Sequence, residues 1–276
     1  LVGSVILCAR VEDKAWIWNG CRSTILTRRG GSDRREHEVR SIVLANQKGG
    51  VGKTTTAIHV AHGFALAGRK VLLMDLDPQG NATIAVQGMR SDQDAPAMRE
   101  WITPVCERLW LVPSAGADAH ADREATLDAA HLQEMVRGLE GEIDVLIVDC
   151  PPRMDEWGWA GVQLCDQVLV PVQAEFFSMH GLSQMMASLE DAAERFPGKG
   201  RLRGVLPTMV QSDEAIAKEV LDDLRANLGD TLLQSVIFRD SSLVEAASHG
   251  QSVFVHSPSS KGALCYTELV QEILDG

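Results

Sequence analysis

The class this sequence predicts is α/β: a mostly parallel, twisted sheet flanked by helices on both faces. Three observations predict it. Short apolar runs recur through residues 41–276, helical stretches alternate with them, and the first run opens directly into a glycine-rich turn. Strands covered on both faces read as continuous apolar runs, which is the pattern seen here.

The elements follow in chain order. Residues 42–45 form a short apolar strand, and 54–66 a helix closed by Gly68. Residues 71–74 are a second strand. A third covers 109–112 and stops at Pro113. Residues 125–139 are expected to be helical, 145–148 a fourth strand and 167–170 a fifth. A helix over 181–196 precedes a sixth strand at 204–206, and another helix spans about 214–228. A short strand at 236–237, a short helix at 243–248 and a closing helix at 262–274 complete the pattern. No linker or repeat interrupts 41–276, so this stretch is expected to be one domain.

Residues 1–40 differ. They contain Gly30-Gly31-Ser32 and a charged run from Asp33 to Glu38 without periodicity, which predicts a poorly ordered extension. No Met precedes Met74, so an alternative native start near Val39 is expected. The extension holds eight Lys/Arg against five Asp/Glu, while the whole chain carries −12. The body is therefore strongly acidic, and any contact with nucleic acid must come from a local patch.

Hydrophobic residues make up 45% of the chain, enough for a large core, and no run of about 18 apolar residues suggests a membrane span. Six scattered cysteines form no Cys-x-x-Cys pair and no zinc spacing, as expected for reduced thiols in a cytoplasmic protein.

The chemistry is concentrated in Gln47-Lys48-Gly49-Gly50-Val51-Gly52-Lys53-Thr54-Thr55. A strand, a glycine-rich turn and a helix in succession aim backbone N–H groups and a helix N-terminus at phosphate oxygens. Lys53 is placed for the β- and γ-phosphates, Thr54 for Mg2+ and Thr55 for the α-phosphate. The general pattern G-x-x-x-x-G-K-[ST] requires Gly at position 47, where this chain has Gln47, and a second lysine, Lys48, follows. Asp75 and Asp77 end the second strand, and Asp149 ends the fourth. A buried aspartate beside a phosphate loop suits a role around Mg2+.

Together with Asp75-Leu76-Asp77-Pro78-Gln79-Gly80-Asn81 and Asp144-Val145-Leu146-Ile147-Val148-Asp149-Cys150-Pro151-Pro152, this loop resembles the deviant Walker A ATPases, and within them the ParA/Soj partition ATPases. The likeness covers roughly residues 40–276. It implies a P-loop NTPase fold, with ATP and Mg2+ as substrate and cofactor. It also implies that Asp77 orients the attacking water and that Asp75 and Asp149 support the metal. Pro78 to Asn81 would be a first switch loop, and Pro151-Pro152 would begin a second. Nucleotide contacts would come from Lys48, Gly49, Gly50, Val51, Gly52, Lys53, Thr54 and Thr55, with Thr208 at the base. Lys48 would reach the nucleotide of a second copy, giving an ATP-dependent homodimer.

The same resemblance implies non-specific DNA binding, association with the nucleoid when ATP is bound, and a ParB-like adaptor that stimulates hydrolysis. The cargo would be a plasmid, a chromosome origin or an assembly such as carboxysomes. Arg203, Arg239 and Lys261 are the candidate DNA contacts, with Arg195, Lys199 and Arg201 near the first in sequence. The chain departs from the family at Ser242, where a second Arg is expected. A MinD-like membrane-cycling ATPase, an electron carrier sharing the lysine signature and a non-hydrolysing ATP-binding regulator are the alternatives. The acidic C-terminal stretch argues against membrane binding.

Overall fold

A computed structural model describes residues 39–90, 98–114, 129–175, 178–211 and 215–276. Positions 1–38 of the expected extension and 125–128 of the expected helix lie outside these residues. Among the described residues, seven strands form one sheet in the order β3-β4-β2-β5-β1-β6-β7. They are β1 Arg40–Leu44, β2 Val71–Asp75, β3 Thr103–Cys106, β4 Leu109–Val112, β5 Val145–Asp149, β6 Gln167–Gln173 and β7 Arg201–Thr208. All pairings are parallel except β3 with β4.

The helices are α1 Lys53–Leu66, α2 Asn81–Ala85, α3 Ala129–Arg137, α4 Glu156–Leu164, α5 Ser178–Arg195, α6 Ala215–Leu228, α7 Ser241–Ser248, α8 Val253–His256 and α9 Lys261–Asp275. Side chains alternate across the sheet and build two cores. Ile42 and Leu44 join α1, α7, α8 and α9 on one face, while Val43 and Ala45 join α3 to α6 on the other. From β1 the chain passes first to β2 and later to β6 on the opposite side, so the loop after β1 sits at a reversal of strand order. Ligands of open α/β sheets bind at such a reversal.

Two expectations are corrected. Residues 236–237 are not a strand. Ile237 donates its N–H to Pro207 O of β7 and accepts the N–H of Val210, just past the strand, and Pro207 has no N–H with which to continue a ladder. Helix α5 begins at Ser178, three residues before the expected start. Four short elements, β3, α2, α4 and α8, go unannounced in the sequence pattern.

Helix α1 is buried almost all round and carries two histidines into the core. The His59 ring bonds through Nδ1 to the Thr55 carbonyl (2.6 Å), and its Nε2 accepts the Val253 N–H (2.9 Å), which fixes a neutral tautomer. It stacks on Tyr266, and the His62 ring bonds Ser252 Oγ. Burial holds His59 at about 4 and, with help from the nearby His59, holds His62 at about 3. The unfolded chain protonates both near pH 6.5, so it binds more protons than the folded state below that value. Stability is therefore full above pH 6.5 and falls as the pH drops towards 3–4. Between pH 7.5 and 5 these two groups are expected to remove up to about 4 kcal/mol. Denaturant titrations at the two pH values check this, and equal unfolding free energies would contradict it.

Candidate nucleotide site

The loop after β1 takes its shape from left-handed glycines. Gly50 and Gly52 have φ of 73° and 85°, a region that side-chain-bearing residues rarely enter. A Cβ on Gly50 would meet nothing within 4 Å, so the turn is open on that side. Gly52 caps the start of α1 against Thr208 and Met209. Val51 is buried, while a Cβ on Gly49 would come within 3.8 Å of Pro152, in the second expected switch.

Three consecutive residues tie the loop to β6 and α5. Asn46 donates its amide to Pro171 O (2.7 Å) and accepts the Lys48 N–H (2.9 Å). Gln47, at the position where the general pattern has Gly, donates to Ser188 Oγ (2.8 Å). Lys48 pairs with Glu175 at 3.5 Å. Lys53 is buried, and its ammonium donates to Lys48 O at 3.2 Å. Burial lowers the Lys53 pKa, opposed by Asp149 and Asp77 beside it.

The three aspartates converge. Asp75 and Asp149 are paired positions on adjacent strands. Asp149 is wholly buried, and beyond the adjacent Thr54 hydroxyl neither carboxylate oxygen has a hydrogen-bond partner. Its pKa is pushed up to about 8, first by burial and then by Asp75, while the nearby Thr54 hydroxyl and Lys53 pull it back. An unpaired buried carboxylate is costly, and a hydrated cation would relieve it. The residues therefore fit magnesium. Thr54 supplies a hydroxyl and Asp149 an unsatisfied acceptor, the oxygen donors this ion prefers. Among the described residues no group of three His, Cys, Asp or Glu could hold a metal ion by itself.

Asp75 shapes the turn expected to be the first switch loop. Its carboxylate accepts from Thr83 N (2.8 Å), Thr83 Oγ1 (2.7 Å) and Asp77 N (3.1 Å). Asp77 is buried, and its Oδ1 accepts the Gln79 N–H at 3.0 Å. Ser114 closes the loop by donating its hydroxyl to Asp77 O and its N–H to Thr83 Oγ1. Thr83 and Ser114 were not singled out from sequence, because no local spacing links them to Asp75.

Thr208 is buried against the loop, and its hydroxyl donates to Val51 O at 2.9 Å. The hydroxyl expected at the base thus buttresses the phosphate turn. Thr54 and Thr55 line a cleft of about 330 Å³ with Ile58, Asn81, Ile84 and Gln251.

The candidate DNA residues do not assemble as expected. Arg203 lies near the start of β7, away from the nucleotide loop, and donates to Glu272 O (3.0 Å) near the end of α9. Its charge answers the carbonyl end of that helix. Lys199 likewise pairs with Asp166 at 2.6 Å. Arg239 and Lys261 flank the same turn, where Lys261 sits 3.6 Å from the Phe238 ring centroid. Asp240 lies between them and accepts from Ser242 N and Gly262 N. Of the three candidate DNA contacts, Arg239 and Lys261 thus lie together and Arg203 lies apart from them.

Comparison with known proteins shows which family the chain resembles. The AAA domain family matches residues 39–199. Over 243 residues the chain is 37% identical to the chromosome-partitioning ATPase Soj of Thermus thermophilus, covering 86% of this chain and 96% of that protein. It is 31% identical to the sporulation initiation inhibitor protein Soj of Bacillus subtilis, covering 84% and 97%. A Mycobacterium smegmatis structure described as cobyrinic acid a,c-diamide synthase, with an ATP analogue and magnesium bound, matches at a TM-score of 0.67 and 28% identity, covering 86% of this chain and 95% of that one.

Proposed function

The chain belongs to the ParA/MinD family of ATPases, with Soj and ParA proteins among its relatives, and from that premise we propose that it is a dimerising switch that positions cargo on DNA. It is a magnesium-dependent P-loop ATPase. The observation that carries the proposal is Lys48, a second lysine on a loop otherwise built for phosphate, with its ammonium half-exposed at the rim.

In this reading ATP draws Lys53 from Lys48 O to the β- and γ-phosphates, and the loop amides of residues 49–53 receive the phosphate oxygens. Thr54 and Asp149 would hold magnesium, which when bound would neutralise charge on the phosphates. Thr55 meets the α-phosphate, and Thr208 keeps the loop in shape from behind. Lys48 crosses to the nucleotide of a second copy. Asp77 holds the attacking water in line, and Asp75 fixes Asp77 through the turn it organises. An adaptor protein of the ParB kind stimulates hydrolysis and returns the protein to monomers.

Non-specific DNA binding by the ATP dimer, and residence on the nucleoid in that state, belong to the same proposal. Arg239 and Lys261 from each copy give four cationic side chains. Four phosphate contacts predict a slope of log affinity against log salt of about −3.6, or roughly 100-fold weaker binding between 50 and 200 mM salt. Binding of random-sequence duplex with ATP and with ADP tests this. No ATP-dependent binding at 50 mM salt would remove the DNA reading. Membrane cycling is disfavoured because the apolar side of α9, with Leu269, Val270 and Ile273, is buried in the core. Among the described residues no helix is long and apolar enough to cross a membrane.

A further inference from the structure

We propose that Glu175 is a positioning residue for Lys48, holding its ammonium within its own protomer and so setting the threshold for ATP-driven dimerisation. The inference rests on the reading that Lys48 crosses to a second copy. In the structure every polar part of Lys48 is engaged at home. Its N–H bonds Asn46 Oδ1, its carbonyl accepts from Lys53 Nζ, and its ammonium lies 3.5 Å from Glu175 Oε2. Glu175 is itself aimed, because Gln173 at the end of β6 donates its side-chain amide to Oε1. Asn46 and Gln47 fasten the same loop to Pro171 and Ser188, so the loop and the carboxylate share one support.

The three ties respond differently to nucleotide. Phosphates attract Lys53, which releases the Lys48 carbonyl. The Asn46 tie fixes only the backbone. The Glu175 pair is the tie that must break before the ammonium can leave. Both side chains are partly exposed, at 39% and 54%, so the pair is weak, as a latch that must open has to be. A dimer breaks two latches, one per protomer, so their effects multiply. A bias of roughly 2.2-fold per protomer becomes about five-fold in the dimer dissociation constant.

The test measures that constant by sedimentation with a non-hydrolysable ATP analogue. Glu175→Gln is expected to tighten the dimer about five-fold over wild type. Gln173→Ala, which leaves the carboxylate but frees it, should shift the constant the same way by less. Salt screens an exposed pair, so the gap between wild type and Glu175→Gln should close to under about two-fold at 0.5 M salt. A purely structural role for Glu175 gives no such convergence. Lys48→Ala serves as the reference. If it fails to dimerise while Glu175→Gln dimerises no better than wild type, the latch is overturned and the crossing lysine stands. If Lys48→Ala dimerises as well as wild type, the crossing itself fails, and the latch with it.

Discussion

Asp77→Asn is expected to lower ATP hydrolysis at least about 100-fold while leaving ATP binding and ATP-driven dimerisation in place, in keeping with the usual yield of a group that activates or orients a nucleophile. Asn is the informative substitution. Asp77 Oδ1 shapes its own turn by accepting the Gln79 N–H, and the Asn carbonyl can accept the same bond. The loop bonds of Ser114 and Gly80 run to the backbone carbonyl of residue 77 and persist as well. What the substitution removes is the negative charge beside Lys53 and Asp149. Phosphate release measured alongside equilibrium binding of a fluorescent ATP analogue separates the two effects. Equal loss of binding and turnover would mean that residue 77 serves the fold of the site and not the reaction.

Lys48→Ala is expected to weaken the ATP dimer by at least about 100-fold, because truncating one side of a desolvated charge pair costs several kcal/mol and a symmetric dimer contains two. ATP binding by the single protomer should change no more than a few-fold. The contact to Lys53 uses the Lys48 backbone carbonyl, and the Asn46 bond uses its N–H, so both survive in alanine. Sedimentation over a range of protein concentrations reads the first effect, and nucleotide titration the second. A variant that lost both together would place Lys48 in its own protomer's site.

Much of this site was legible in the sequence because its parts are local. A strand running into glycines and then a helix announces a phosphate loop within about 15 residues, and strand-ending aspartates announce acidic support. What the sequence hid depends on long-range contact. Helix α2 is five residues long and is organised by Asp75 bonding Thr83 across a turn, with no periodicity to betray it. Strand β3 is four residues with Pro104 inside it, tolerated because it lies at the sheet edge. Arg203 and Arg239 looked equivalent as basic residues near β7, yet one answers the end of α9 and the other lies past the far end of the strand. Glu175 could not be assigned to Lys48 from sequence, since 127 positions separate them and only the pairing of β1 with β6 brings their loops together.

The central claim is that ATP joins two protomers before it is consumed. Light scattering on the Asp77→Asn protein, at saturating magnesium and ATP, tests it most directly because slow turnover preserves the nucleotide. The predicted result is twice the protomer mass with ATP, a single protomer mass with ADP, and a single protomer mass with ATP when Lys48→Ala is added. A single protomer mass with ATP demonstrably bound, over the full range of protein concentrations, would contradict the account.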